Sequence, residues 1–351
     1  MEFTNIKNFF LFFFIIGLIA VTAIYCYSKP SGHQEDAESE KLLIDTDGGP
    51  DDAVAILLAI SSFISRNNNT KKFDIVGITC TYGNAYLKDV EKNVLKTLTI
   101  ANVTNIPVYS GAEKPLKNNF TLENYFGADG FGDFVFDKNI TINIDRSKNA
   151  TTALIDLAKI HSKKLTILAL GPLTNIAEAI KLDPNFVGNV NKFYIMGGSI
   201  SGGGNMGPNL EFNFMLDPES NKIVLDSLNG ESSYLIPWEP LSQTNISTEW
   251  KQTAIDKMNT TTTEFLRLAF AKTPKNPLWI PADALAVAVI MWKTENFIEK
   301  KQAIVNSIID KPHYGEISVN YTTKVGNIAI VTKINADEFK KLLIEKLSLF
   351  K

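Results

Sequence analysis

Residues 42–46 form a short apolar run that ends among four carboxylates, Asp45, Asp47, Asp51 and Asp52, set around a Gly48-Gly49-Pro50 turn. Residues 53–64 follow with the apolar spacing of a buried helix. The alternation then recurs. Segments 73–81, 106–110, 165–170, 192–196 and 234–237 read as strands, and 87–100, 150–162, 173–181, 218–228, 248–272 and 282–292 as helices. A β-hairpin is expected over 316–332 and a terminal helix over 337–347. This pattern predicts an α/β fold, a mostly parallel central sheet flanked by helices with a small C-terminal β-hairpin. Such sheets bind ligands beyond the carboxyl ends of their strands. The acidic turn, Asn84, Leu170-Gly171-Pro172 and Met196-Gly197-Gly198 all fall at such ends, with Asn205, Glu211 and Asn213 just beyond the last.

Four like charges at one strand end repel one another and cost folding energy unless a cation or a polyol compensates them. An oxygen-only donor set suits a hard metal ion. The dipole of a following helix accounts for Asp51 and Asp52 but not for the other two. Asp45-Thr46-Asp47-Gly48 also resembles the nucleophile motif of haloacid-dehalogenase phosphatases. Gly49 stands where Thr or Val is usual there, and Asp51-Asp52 is foreign to it. An EF-hand is excluded because its twelfth position is Ile56. Gly202, Gly204 and Gly207 spell a dinucleotide fingerprint without a suitable following helix, so they read as a loop.

Composition is ordinary for a globular chain except at the N-terminus. A net charge of −3 over 351 residues argues against a nucleic-acid partner. Two cysteines, Cys26 and Cys80, imply no disulfide framework, and the dispersed His33, His161 and His313 disfavour a zinc site. Lys7 precedes an almost unbroken apolar run over 9–27, so residues 1–28 read as a signal peptide or signal anchor. Residues 29–40 form a polar linker and 41–351 a single domain, without repeats or a second linker. Acceptor sequons begin at Asn68, Asn102, Asn119, Asn139, Asn149, Asn245, Asn259 and Asn320. Together these predict a secreted or membrane-anchored glycoprotein with its main domain outside the cell or in a lumen.

From residue 41 to the C-terminus the chain resembles the inosine-uridine-preferring nucleoside hydrolases. Asp45-Thr46-Asp47-Gly48-Gly49-Pro50-Asp51-Asp52 matches their D-x-D-x-x-x-D-D signature, and Gly171-Pro172-Leu173-Thr174-Asn175-Ile176 a second segment. Met196-Gly197-Gly198, Asn205, Glu211-Phe212-Asn213, Asp217-Pro218-Glu219 and Asp283 with Ala286-Val287 complete the series. The resemblance implies a Rossmann-like nucleoside hydrolase fold, a nucleoside substrate, bound Ca²⁺ and a homo-oligomer. It further implies that Asp47, Asp52, Asp283 and the Leu170 carbonyl ligate the calcium, which would hold a water and the ribose 2′- and 3′-hydroxyls. Asp47 would be the general base. Asp51, Asn84 and Asn213 would grip the ribose hydroxyls, Asn205 and Glu211 the 5′-hydroxyl, and Met196 would pack on the sugar. Asp45 would support the turn from behind. These residue types suit cleavage of an N-glycosidic bond, which develops positive charge on the sugar that carboxylates stabilise.

Two departures concern the leaving base. Inosine-uridine-preferring members carry a histidine before the late metal-ligand aspartate, and here that position is Ala282. A His-Gly-x-x-Gly loop appears as Phe126-Gly127-Ala128-Asp129-Gly130. Purines can leave with help from aromatic stacking, so the reading favours purine nucleosides, with Phe126, Tyr82 and Trp279 as candidate stackers. Segments 122–137 and 272–281 read as mobile loops able to close over the base. A ribose-binding ectodomain without turnover is the competing reading. The missing histidines favour it, and the complete metal and ribose set opposes it.

Overall fold

The computed structural model describes residues 39–64, 70–230, 232–292, 296–322 and 324–350. The expected signal or anchor at 1–28, nearly all of the linker at 29–40, and the Asn68 sequon lie outside these residues. Strands β1 (Glu40–Thr46), β2 (Phe73–Cys80), β3 (Val108–Tyr109), β4 (Leu165–Ala169), β5 (Lys192–Met196), β6 (Ser233–Ile236), β7 (Ile298–Ser307), β8 (Ile317–Tyr321) and β9 (Ile328–Ile334) form one sheet. Their order is β3-β2-β1-β4-β5-β6-β9-β7-β8. Pairing is parallel from β3 through β9, and β7 runs antiparallel to both β9 and β8.

Strands β2 and β3 extend the sheet to one side of β1, and β4 to β6 extend it to the other. The crevice beyond the carboxyl ends of β1 and β4 is therefore the switch point at which such sheets take ligands. Helices α1 (Pro50–Ile64), α2 (Leu87–Ile100), α3 (Ala150–Ile160), α4 (Thr174–Leu182), α5 (Phe212–Leu216), α6 (Pro218–Ser227), α7 (Thr261–Ala269), α8 (Ala282–Met291) and α9 (Ala336–Leu347) cover the two faces. Leu42 and Ile44 of β1 pack in the same core as α1 and α8, while Leu43 packs with α3 and α4. All ten residues of α8 are buried. A helix apolar on every side belongs inside the molecule. Among the described residues no helix is long and apolar enough to cross a membrane.

Two local expectations need correction. Residues 317–321 and 328–334 do not form a hairpin with each other, because β7 lies between them and pairs with both. The sequence of β7, IEKKQAIVNS, mixes charge with apolar residues and has no run that marks it as a strand. The continuous helix expected over 248–272 is broken. A helical turn at Thr248–Trp250 runs into a π-helical turn at Lys251–Ile255 and a 3₁₀ turn at Asp256–Met258. Asn259 then takes a left-handed conformation with φ 52°. Thr260 and Thr263 cap the new helix α7 reciprocally, each side chain bonded to the other's backbone N–H. The Asn-Thr-Thr-Thr-Thr stretch competes for backbone hydrogen bonds and so starts a helix where apolar spacing alone extends one.

Candidate functional site

The pleat of β1 sorts the acidic turn. Thr46 shares a face with Ile44, and its hydroxyl donates to Asp52 Oδ1 at the start of α1. Asp45 shares a face with Leu43 and turns to the opposite layer. Its Oδ1 accepts from Thr79 Oγ1 at 2.6 Å and from Asn175 Nδ2 of α4 at 2.8 Å. Asp47 follows the strand end, Gly48 reverses the chain at φ 67°, and Pro50 opens α1, which sets Asp51 and Asp52 in its first turn. Asp283 occupies the first turn of α8, which packs beside α1.

Asp47, Asp52 and Asp283 are buried and each brings one carboxylate oxygen within 4.8 Å of the others. Two unit charges at that distance repel by about 3 kcal/mol at an effective dielectric of ~20. Helix N-termini under Asp52 and Asp283 offset part of this. Burial and mutual repulsion push Asp47 and Asp283 well above the usual carboxylate range. Asp51 is raised to about 7, chiefly by burial and then by Asp52, and its Oδ1 is buried without a hydrogen-bond partner. A buried all-oxygen cluster with an orphaned acceptor beside it fits a hard cation.

The polar residues expected at this site surround the cluster. Asn84 donates from its backbone N and its Nδ2 to the two oxygens of Asp47, both at 2.9 Å. Asn213 Nδ2 donates to the Leu170 carbonyl at 2.7 Å and lies 3.3 Å from Met196 Sδ. Glu211 caps α5, accepting from the backbone N–H groups of Asn213, Phe214 and Gly198, and burial raises it to about 6. Asn205 Oδ1 accepts from Phe212 N at 2.9 Å. Leu170, Met196, Asp51, Asn84, Asn205, Glu211, Asn213 and Asp283 all line one cavity of about 1130 Å³. The Gly-rich loop carrying Asn205 is anchored by Glu239, whose Oε1 accepts from Ser199 Oγ at 2.8 Å and from the backbone N–H of Ile200 at 2.8 Å and Ser201 at 2.7 Å. Glu239 escapes a motif-based reading, since its signal is only an acid just after β6.

Gly83 packs tightly against the cluster. A Cβ there would stand 2.1 Å from Asp47 Oδ2 and 2.6 Å from Asp47 Cβ. Gly83→Ala therefore displaces the Asp47 carboxylate. For the base role expected of Asp47, activity with saturating metal should fall by about 10²-fold, the usual cost of a shift near 1 Å in a reacting group. Steady-state rates on a protein whose circular dichroism is unchanged check this, and a wild-type rate would show that Asp47 tolerates displacement.

The base-side expectations divide. Phe126 and Trp279 line the cavity. Their rings meet Phe270 edge-on at 6.1 and 6.0 Å. Tyr82 is not available for stacking. It is fully buried, its hydroxyl pairs with Thr174 Oγ1 at 3.3 Å and its ring meets Phe120. A stacking ring needs a face open to the cavity, and Tyr82 fills the core behind the strand ends instead. Segments 122–137 and 272–281 both contribute to the cavity wall. The first is held by Asp129, whose Oδ1 accepts from the backbone N–H of Phe131 and Asp133. Tyr125, Lys251 and Phe270 also line the cavity, and the sequence pattern gave no sign of them. Lys251 and Phe270 were hidden inside the supposed long helix.

The family model for inosine-uridine preferring nucleoside hydrolases matches residues 42–341. Uridine nucleosidase 1 of Arabidopsis thaliana is 36% identical over 196 residues, 54% of this chain and 54% of the relative. The inosine-uridine preferring nucleoside hydrolase of Crithidia fasciculata is 34% identical over 189 residues, 53% and 57% of the two chains. The chain thus spans about half the length of the curated relatives it matches. Among solved structures, a plant nucleoside hydrolase superposes with a TM-score of 0.77 at 23% identity, covering 88% of this chain and 98% of the other. A purine-preferring ribonucleoside hydrolase from Gardnerella vaginalis gives 0.77 at 24% identity over the same shares. With the family model covering residues 42–341 and the fold matching over 88% of the chain, the chain belongs to the inosine-uridine preferring nucleoside hydrolase family.

Proposed function

We propose that this protein hydrolyses the N-glycosidic bond of ribonucleosides, purine nucleosides above others, to free base and ribose. The observation that carries this reading is the buried Asp47-Asp52-Asp283 cluster beside a cavity lined by Asp51, Asn84, Glu211 and Asn213. That wall is rich in acceptors and amides, which suits a polyol, and it is enclosed enough to take a nucleoside.

Asp47, Asp52, Asp283 and the Leu170 carbonyl would hold Ca²⁺, which when bound neutralises the cluster and acidifies a water. Asp47 accepts the proton of the attacking water, its carboxylate fixed by the two bonds from Asn84. Asp51, Asn84 and Asn213 orient the sugar through its 2′- and 3′-hydroxyls, and Asn205 and Glu211 through the 5′-hydroxyl. Met196 packs beneath the ring. As the bond from C1′ to the base nitrogen breaks, its electron pair leaves with the base, and the surrounding carboxylates stabilise the oxocarbenium-like sugar. Gripping every hydroxyl converts binding energy into orientation. The purine preference rests on the aromatic wall of Phe126 and Trp279.

The apolar run at 9–27 supports entry to the secretory route, with residues 41–351 outside the cell or in a lumen, as does the exposure of the sequon asparagines at 102, 119, 139, 149, 245, 259 and 320. Asn149 is the exception in availability, because its side chain caps α3 by accepting from Thr152 N at 2.9 Å. The full chain, incubated with inosine, adenosine and uridine plus Ca²⁺, should release base, fastest from a purine nucleoside. Silence on all three would refute the proposal.

A further inference from the structure

The cavity wall lacks a histidine among the described residues, and Ala282 and Phe126 occupy the two positions where the family resemblance expects one. Three cations line the same cavity: Lys251, Arg267 and Lys275. Lys275 is exposed, and Arg267 is exposed and engaged with Glu264 at 2.6 Å. Lys251 alone of the three is buried, at 7% exposure. It sits on the π-helical turn 251–255, a distortion that often marks functional positions. Its Nζ lies 5.3 Å from the Phe270 ring centroid and 5.9 Å from that of Trp279. These are the rings that join Phe126 to the start of α8, where Ala282 stands.

Two donors on this side are left over. Lys251 Nζ donates to the two Asp256 oxygens at 2.8 and 3.0 Å, which leaves one of its three N–H groups without a protein acceptor among the described residues. Trp279 Nε1 is buried with no partner either. Buried donors without acceptors ask for an occupant that supplies them. The opposite half of the cavity offers carboxylates and carbonyl oxygens suited to hydroxyls. An acceptor-rich ligand group is therefore expected over Phe126, Phe270 and Trp279.

We infer that Lys251, with the Trp279 indole N–H, reads the ring nitrogen and carbonyl oxygen acceptors of an oxo-base and offsets the negative charge it gains on leaving. This rests on the nucleosidase reading and names its substrate class, the 6-oxopurine nucleosides, over adenosine, whose exocyclic amine presents a donor. The bond between C1′ and the base nitrogen breaks with its electron pair going to the base. Lys251 keeps its proton, Asp47 takes one from the water that joins C1′, and solvent protonates the released base. Asp256 offsets much of the Lys251 charge, and what acts on the base is the remaining N–H, which donates from an apolar wall where little solvent competes.

The test compares inosine, adenosine and 4-nitrophenyl riboside, whose leaving group needs no such help, on the full chain with Ca²⁺. Wild type should prefer inosine to adenosine by at least about 10-fold. Lys251→Met should lower kcat/KM on inosine by about 10- to 100-fold, the cost of losing a charged hydrogen bond, while the nitrophenyl substrate changes less than about threefold. Trp279→Phe should lower inosine turnover more than adenosine turnover, and Lys251→Arg should restore most of the loss. If Lys251→Met fails to fold, Lys251→Gln carries the same expectation. Equal loss on all three substrates would make Lys251 merely structural, and no loss would remove it from the site; either overturns the inference. Absence of wild-type turnover on every substrate, the nitrophenyl riboside included, would overturn the nucleosidase reading itself.

Discussion

Asp47→Ala should lower turnover by at least about 10³-fold while leaving the fold intact, the upper part of the range for losing a general base. Two losses coincide at this residue. On the proposed mechanism the attacking water would have no proton acceptor, and the acidic cluster loses one of its three oxygens. The structural cost is smaller. Asn84 loses its Asp47 acceptors, although its Nδ2 keeps Asp52 Oδ2 at 3.5 Å, so the penalty is at most about 1–3 kcal/mol for each half-buried donor. Removing one carboxylate also relieves repulsion against Asp52 and Asp283, of about 3 kcal/mol per pair at an effective dielectric of ~20. These effects oppose each other, so the melting temperature should move by only a few degrees. Asp47→Asn, which retains one acceptor for Asn84, should be equally inactive and more nearly native. A variant that melts normally and still turns over at the wild-type rate would rule out Asp47 as the base.

Removing divalent cations should abolish activity and reverse the pH dependence of stability. Burial and like charge raise the carboxylates here above their ordinary range, Asp45 and Asp51 to about 7 and Asp47, Asp52 and Asp283 in the same direction. A carboxyl whose pKa is higher in the folded than in the unfolded chain binds more protons when folded. Its contribution is therefore complete below the unfolded pKa near 4 and is lost as pH rises through about 7. With chelator present, the melting temperature should fall between pH 5 and pH 8. A bound Ca²⁺ would favour the ionised cluster, so its stabilising shift should be larger at pH 8 than at pH 5. Thermal melts at both pH values, with chelator and with excess Ca²⁺, read this directly. A calcium shift that is absent, or larger at pH 5, would mean that these carboxylates do not form a metal site.

The acidic turn was legible because its causes are local. A strand end, a glycine at positive φ and a proline at the first helical position set Asp47, Asp51 and Asp52 within one short segment. The pleat then separates Asp45 from them and turns it to Asn175. Asp283 lies more than two hundred residues away, and only its family motif tied it to the turn. The parallel half of the sheet followed from alternating apolar runs. The antiparallel end did not, because the pairing of β7 between β9 and β8 is non-local and its charged sequence carries no apolar signature. The base side was least legible. Tyr82 was one of three candidate stackers, yet the core claims it. Lys251 was concealed because apolar spacing cannot register a π-turn or the threonine cap that opens the next helix.

The most direct measurement is hydrolysis of inosine by the full chain in phosphate-free buffer made with ¹⁸O-labelled water and Ca²⁺. Free base and ribose should form in equal amounts, with one labelled oxygen at ribose C1 when product is trapped before exchange. Binding of inosine without release of base, or release only when phosphate is supplied, would rule out hydrolysis at this site.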